Sequence, residues 1–192
     1  MGLYPIEKGA NFMSRKLTYY VAVTVDNYIA HTDGRVDGFL TEGQHIPDYI
    51  TSLRDYDTVI MGKNTYEWGY AYGVTPGEPV PLYGHMMQYV LSQSMPEYHH
   101  PHLQVIAQNP AEFVRGLKDK SGGQIYLCGG GALAGYLLEH HLIDDLILKV
   151  NPVLFGAGIP LFGKSTHQIS LSLYNSKVYS NGVTFNHYRL IY

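Results

Sequence analysis

The sequence predicts an α/β domain: a mixed, mostly parallel sheet covered by helices and closed by a C-terminal antiparallel hairpin. Three stretches carry this prediction. Gln124 to Cys128, Gly129-Gly130-Gly131, Ala132 to His141 and Leu146 to Phe155 read as strand, glycine turn, helix and strand, the βαβ unit of a parallel sheet. Asn181-Gly182 separates two β-rich runs, Leu171 to Ser180 and Val183 to Ile191. Asn-Gly suits a two-residue hairpin turn because both residues tolerate positive φ. Leu17 to Val25, rich in Val, Thr and Tyr, has the composition of a buried strand.

The remaining elements follow in order. Asp26-Asn27 ends the first strand, and a loop with Asp33-Gly34 and Asp37-Gly38 follows. Ile46, Tyr49, Ile50 and Leu53 recur at helical spacing, with Pro47 where a first-turn proline would stand. Thr58 to Met61 is a short strand running into Gly62-Lys63-Asn64-Thr65, with a helix from Thr65. Gly73, Pro76, Gly77, Pro79 and Pro81 mark residues 69–87 as a surface excursion. Tyr89 to Ser92 and Leu103 to Ala107 are short strands. Asn109-Pro110-Ala111-Glu112 has the pattern of a capping box opening a helix through Phe113, Val114 and Leu117.

Composition narrows the function. The chain has 192 residues, 45% hydrophobic and 15% charged, enough for one globular domain with a substantial core. Residues 16–192 are expected to form that domain, with Met1 to Arg15 a flexible leader that has no apolar signal region. The formal charge of −3 comes without a basic stripe, which argues against nucleic acid. Cys128 is the only cysteine, so no intramolecular disulfide can form and a reducing cytoplasm fits. No apolar stretch approaches the ~20 residues that would cross a bilayer. Eighteen tyrosines are scattered through the chain without an evident pattern.

The triple glycine is the most informative candidate site. Between a strand's carboxyl end and a helix's amino end, glycines let a ligand approach free N–H groups and the helix dipole, which favours a phosphate. A tight βα turn explains the same residues without a ligand. The spacing is not GxGxxG, and Gly62-Lys63-Asn64-Thr65 is not a Walker A loop.

Ala22 to Ala30, Val59 to Glu67, Tyr89 to Ser92 and Ile125 to Gly131 resemble, in their order, segments of dihydrofolate reductases. Leu142 to Leu146 and Asn151 to Phe162 look more like another branch of that superfamily. That branch is the C-terminal reductase domain of bifunctional riboflavin-biosynthesis deaminase-reductases and its free-standing relatives. The resemblance covers about Lys16 to Tyr192 and implies a dihydrofolate-reductase-like three-layer α/β/α fold that binds NADPH. It implies that Ala22, Ile29 and Ala30 line the nicotinamide side. Gly62, Lys63, Thr65 and Ser92 would hold the pyrophosphate and the 2′-phosphate. Gly129, Gly130 and Gly131 would pass beneath the pyrophosphate, with Cys128 and Ala132 flanking them. Ala132 stands where dihydrofolate reductases often carry an Arg, which weakens the preference for NADPH over NADH.

On the substrate side, Asp48 is the candidate for the carboxylate that assists protonation, or else an ordinary acid in a helix's first turn. Tyr49 and Lys149 are candidate substrate contacts; for Lys149 the alternative is an exposed edge lysine. Val36-Asp37-Gly38-Phe39 replaces the Trp-Pro-type loop of dihydrofolate reductases, which argues against folate. His99-His100-Pro101-His102 has the composition of a metal tract, but adjacent side chains diverge and no Cys or acid completes a site. No metal is expected. The implied function is NADPH-dependent reduction of a pyrimidine- or pteridine-type small molecule. The nearest named reaction is reduction of 5-amino-6-(5-phosphoribosylamino)uracil. Dihydrofolate reduction and a non-catalytic nucleotide-binding role are the alternatives. The resemblance also makes a cytoplasmic homodimer the expected form.

Overall fold

A computed structural model describes residues 14–192. Its strands are β1 (Leu17–Thr24), β2 (Tyr28–Ala30), β3 (Tyr56–Gly62), β4 (Met87–Leu91), β5 (Leu103–Ile106), β6 (Gln124–Gly129), β7 (Asp145–Asn151), β8 (Ile159–Pro160), β9 (Ser170–Val178) and β10 (Thr184–Ile191). The α-helices are α1 (His45–Ser52), α2 (Lys63–Trp68), α3 (Pro110–Lys118) and α4 (Gly131–Glu139). Eight strands form one sheet in the order β5-β4-β3-β6-β1-β7-β10-β9. The first six run parallel; β10 and β9 pair antiparallel at one end. β2 and β8 form a separate two-stranded ribbon.

Successive side chains of a strand point to opposite faces, and the sheet uses both. Tyr19, Ile60, Leu127 and Leu146 pack with α3 and α4 on one face. Tyr20, Val59, Met61, Tyr126, Ile147 and Phe185 form a second cluster with Leu53, Tyr66 and Met86 on the other. The near-continuous apolar runs of β1, β3 and β6 reflect this two-sided burial. The expected layered α/β/α architecture with a C-terminal hairpin is the observed one.

Several local expectations are corrected. Arg15, assigned to the leader, is buried: it pairs with Asp57, donates to the Gly123 carbonyl at 2.6 Å and its backbone N–H donates to Lys118. Ser14 also docks, its hydroxyl donating to the Lys118 carbonyl at 3.4 Å, and residues 1–13 of the leader lie outside the described residues. Pro47 is the third residue of α1, which begins at His45. Asn109 caps nothing with its side chain; it adopts φ 48° and ψ 51°, and the capping box does not form, although Pro110 does open the helix. The segment 69–87 is not wholly superficial, because Val74, Tyr83 and Met86 are buried in the second cluster. The buried Gln88 amide ties it down, accepting from the Val80 N–H and donating to the Val80 and Tyr83 carbonyls. β7 stops at Asn151 instead of continuing to Phe155. Pro152 has no N–H for the ladder, and the Asn151 side chain turns to accept from the Leu40 N–H.

Candidate active site

The parallel order puts the carboxyl ends of β4, β3, β6, β1 and β7 along one rim, where open α/β sheets bind ligands. A cavity of ≈ 1160 Å³ opens there. Of the residues singled out in the sequence, Ala22, Ile29, Ala30, Tyr49, Gly62, Lys63, Thr65, Ser92, Cys128, Gly130, Gly131, Ala132 and Lys149 line it. Gly129 and Asp48 do not.

At one end the turns after β3 and β6 meet. A Cβ on Gly62 would lie 3.8 Å from the Gly129 carbonyl oxygen and the Gly130 nitrogen. The three adjacent glycines have three different physical roles. Gly129 adopts φ +129°, a conformation that disfavours a side chain. Gly130 is extended and faces open space; the nearest atom to an added Cβ is Thr65 Oγ1 at 3.4 Å. Gly131 is packed against the protein itself, since a Cβ there would run into the Pro160 carbonyl oxygen. Only Gly130 therefore keeps room for a ligand; the expectation that all three clear a pyrophosphate is corrected. Gly130 also precedes α4, with no side-chain cap on the helix start, and the free N–H groups of a helix's first turn favour an anion. Lys63 reaches over the same end, with Nζ 3.4 Å from Ser94 Oγ and 3.8 Å from Glu67.

The middle of the cavity is bounded by Ala22, Ile29 and Ala30 and covered by the loop after β2, including Val36 and Phe39. This loop is held by a stack: His31 lies on Phe155 at 3.8 Å between ring centres, and Phe39 lies on Phe155 at 5.3 Å. Asp26 fixes the Phe155 segment by accepting the N–H groups of Phe155 and Gly156 at 3.2 and 2.8 Å.

The far end is a wall of phenols. Tyr49 and Tyr126 share a hydroxyl–hydroxyl hydrogen bond of 3.1 Å, and the Tyr83 hydroxyl lies 3.4 Å from Cys128 Sγ. Burial pushes the Tyr49 phenol up to about 12, and pushes Tyr83, Tyr126 and the Cys128 thiol upward as well. These groups are neutral at physiological pH. Lys149 projects beside them from β7, directly opposite Ala22 on β1 and Phe185 on β10. Burial lowers its ammonium below the ordinary lysine value.

Asp48 lies elsewhere. It borders a second recess of ≈ 310 Å³ between α1 and the β9–β10 hairpin. There it accepts from Lys177 Nζ at 2.5 Å, the Tyr179 hydroxyl at 2.8 Å and Gln44 Nε2 at 3.0 Å. Those bonds, Lys177's foremost, hold its carboxyl down at about 2. An acid that strong is ionised at neutral pH, and it faces away from the cavity. This geometry removes Asp48 as the proton donor.

Sequence reasoning missed Tyr20, Tyr83 and Tyr126. Two of them carried a usable signal: Tyr20 shares a strand face with Ala22, and Tyr126 with Cys128. Tyr83 reaches the site from the 69–87 segment, where no periodicity exists. Among the described residues no cluster of three or more His, Cys, Asp or Glu could hold a metal.

The chain is similar to known proteins both in sequence and in fold. The RibD C-terminal domain family matches residues 15–185. The uncharacterized protein YwjB of Bacillus subtilis (strain 168) is 33% identical over 178 residues, 92% of this chain and 99% of YwjB. A Thermotoga maritima diaminohydroxyphosphoribosylaminopyrimidine deaminase/5-amino-6-(5-phosphoribosylamino)uracil reductase superposes with a TM-score of 0.69 and 15% identity, covering 93% of this chain and 57% of that one. Enterococcus faecalis dihydrofolate reductase, complexed with NADP(H) and RAB-propyl, gives 0.59 and 17%, covering 91% and 96%. At these identities the structures share the fold.

Proposed function

Because the chain belongs to the RibD C-terminal domain family, we propose that it is an NADPH-dependent reductase of a pyrimidine- or pteridine-type small molecule. The observation that carries this reading is the pairing of two unlike ends in one cavity. One end has the open Gly130 backbone before α4, with Lys63, Thr65 and Ser92 around it; the other is a wall of neutral hydroxyls. The volume, ≈ 1160 Å³, is above the usual upper range of about 1,000 Å³ for a single small-ligand site, which suits a dinucleotide with a second molecule beside it.

The residues fit the dinucleotide. Gly130 leaves the space a pyrophosphate needs, and Lys63 supplies a cation for a 2′-phosphate. NADPH supplies the hydride. The protein's share is to align the acceptor against the Ala22 side, exclude water with the Phe39 loop and engage the substrate ring through Tyr49 and its phenolic neighbours. Among the described residues the far end has no carboxylate for the 2-amino edge of a pterin, which favours a uracil-type ring over dihydrofolate.

The test is fluorescence titration with NADPH and NADH, followed by turnover of 5-amino-6-(5-phosphoribosylamino)uracil and of dihydrofolate. NADPH should bind more tightly than NADH. In Lys63→Ala that advantage should shrink by about ten- to a hundredfold, the loss of one charge-assisted contact. Brisk dihydrofolate turnover would reverse the substrate assignment, and failure to bind either nucleotide would remove the reading. No described helix is long and apolar enough to cross a membrane, and a cytoplasmic site of action goes with the nucleotide supply. A homodimer joined through β9 completes the proposal.

A further inference from the structure

Reducing a C=N or C=O bond takes a proton as well as a hydride, and among the described residues the far end of the cavity offers no carboxylic acid. Asp48 faces the other recess. Asp33, which is exposed, and Glu67, which is partly so, are the acids on the cavity lining, and they sit beside Arg35 and Lys63. The phenols hold their protons tightly, and three of them are engaged already, Tyr49 with Tyr126 and Tyr83 with Cys128. One amine remains. Lys149 stands across the strand pair from Ala22, is half-buried, and has no carboxylate partner among the described residues.

We propose that Lys149 is the proton donor of the reduction, acting on the heteroatom of the bond that receives the hydride. This rests on the reductase reading above. The carbon of the C=N or C=O bond accepts hydride from NADPH, which becomes NADP⁺. The π pair moves onto nitrogen or oxygen, and that atom takes a proton from Nζ as the N–H bond breaks. A neutral amine is left, and solvent restores the ammonium. Burial favours this role, because a lysine with a lowered pKa gives up its proton more readily near neutral pH.

The groups facing Lys149 do not offset that burial. β1 presents Tyr20 and Ala22, and β10 presents Phe185, with His187 further along. From α1 come Tyr49 and His45, whose ring nitrogens are engaged at 3.1 Å with the Leu40 carbonyl and at 3.1 Å with Asn181 Nδ2. Asp37, from the covering loop, is paired with Arg35.

Two measurements test the proposal. In the intact protein, acetylation of each lysine by acetic anhydride is followed against pH by mass spectrometry, with and without NADPH. Lys149 should label with a midpoint below the other lysines, and NADPH should slow its labelling. In turnover of 5-amino-6-(5-phosphoribosylamino)uracil, Lys149→Met and Lys149→Arg should both lose about 10²–10⁴ in kcat while keeping their NADPH affinity. The fall of kcat at high pH should vanish with them. Arg keeps the charge but not the releasable proton, so an Arg variant with normal kcat would mean Lys149 only anchors an anion and would overturn the proposal. So would an ordinary labelling midpoint, or labelling that NADPH leaves unchanged. NADPH protection of Lys149 without turnover of the uracil would support its place in the site and count against the choice of substrate.

Discussion

Gly130 and Asp48 show how far a single residue's role depends on what its neighbours already occupy. Three glycines in a row look alike in a sequence, yet only Gly130 lines the cavity with neither a positive φ nor protein backbone where its Cβ would stand. Gly130→Val should therefore leave the melting temperature nearly unchanged and abolish NADPH binding, as read by fluorescence titration and thermal melts. Full affinity in the folded variant would end the phosphate assignment. Asp48 was legible as a candidate because it sits in a helix's first turn beside Tyr49; its partner Lys177 is 129 residues away, and no local pattern announces it. The consequence concerns stability. Its folded pKa, about 2, lies below the unfolded value of 3.8. The native state thus binds its proton less readily, and the stabilisation is complete above pH 4 and lost as pH falls from about 4 toward 2. Asp48→Asn should flatten that acid limb in denaturation curves while leaving NADPH affinity and neutral-pH turnover intact. A large loss of turnover would restore Asp48 to the chemistry.

At the scale of elements, the strands and helices with strong periodicity were legible: β1, β3, β6, α4 and the β9–β10 hairpin lie where the apolar patterns put them. The short ribbon of β2 and β8 was not, because its five residues carry no period and pair across more than a hundred positions. That ribbon and the turn after it explain two of α4's glycines better than any ligand does. Gly131 abuts the Pro160 carbonyl, and a Cβ on Gly135 would run into the Phe162 carbonyl. The helix must lie flat on this turn for Gly130 to be presented to the cavity. Gly135→Ala should accordingly destabilise the protein by about 1–3 kcal/mol, as overpacking does, because the obstacle is backbone. Chemical denaturation would measure it. In contrast with Gly130→Val, the loss should appear in stability first and in cofactor binding only as far as the turn shifts. An unchanged midpoint would mean that the turn yields freely.

At the scale of the whole molecule, the site exists because strands distant in sequence end side by side: β4, β3, β6, β1 and β7 bring residues from Ala22 to Lys149 to one rim. The family resemblance anticipated that assembly; the residue patterns alone could not, since they do not specify strand order. The sheet's two edges differ in a way that bears on assembly. β5, at one edge, has four residues. β9, at the other, has nine, every one exposed, and Leu173 and Val178 are 55% and 74% exposed. A long edge strand with exposed apolar side chains, whose outer side has no partner among the described residues, is ready to bind another chain, and soluble proteins commonly shorten, charge or cover such an edge. Lys177, β9's one charged residue, is already paired with Asp48 and does little to protect it. A second copy pairing there would bury the exposed leucines and saturate the edge's N–H and C=O groups. Wild-type protein should therefore sediment as a dimer at micromolar concentration, and the double variant Leu171→Lys/Leu173→Lys as a monomer. Because β9 does not line the cavity, the monomeric variant should still bind NADPH with its affinity intact. A monomeric wild type would show that this edge is tolerated in solution, and a variant that lost both dimer and cofactor would show that the active site depends on the second copy.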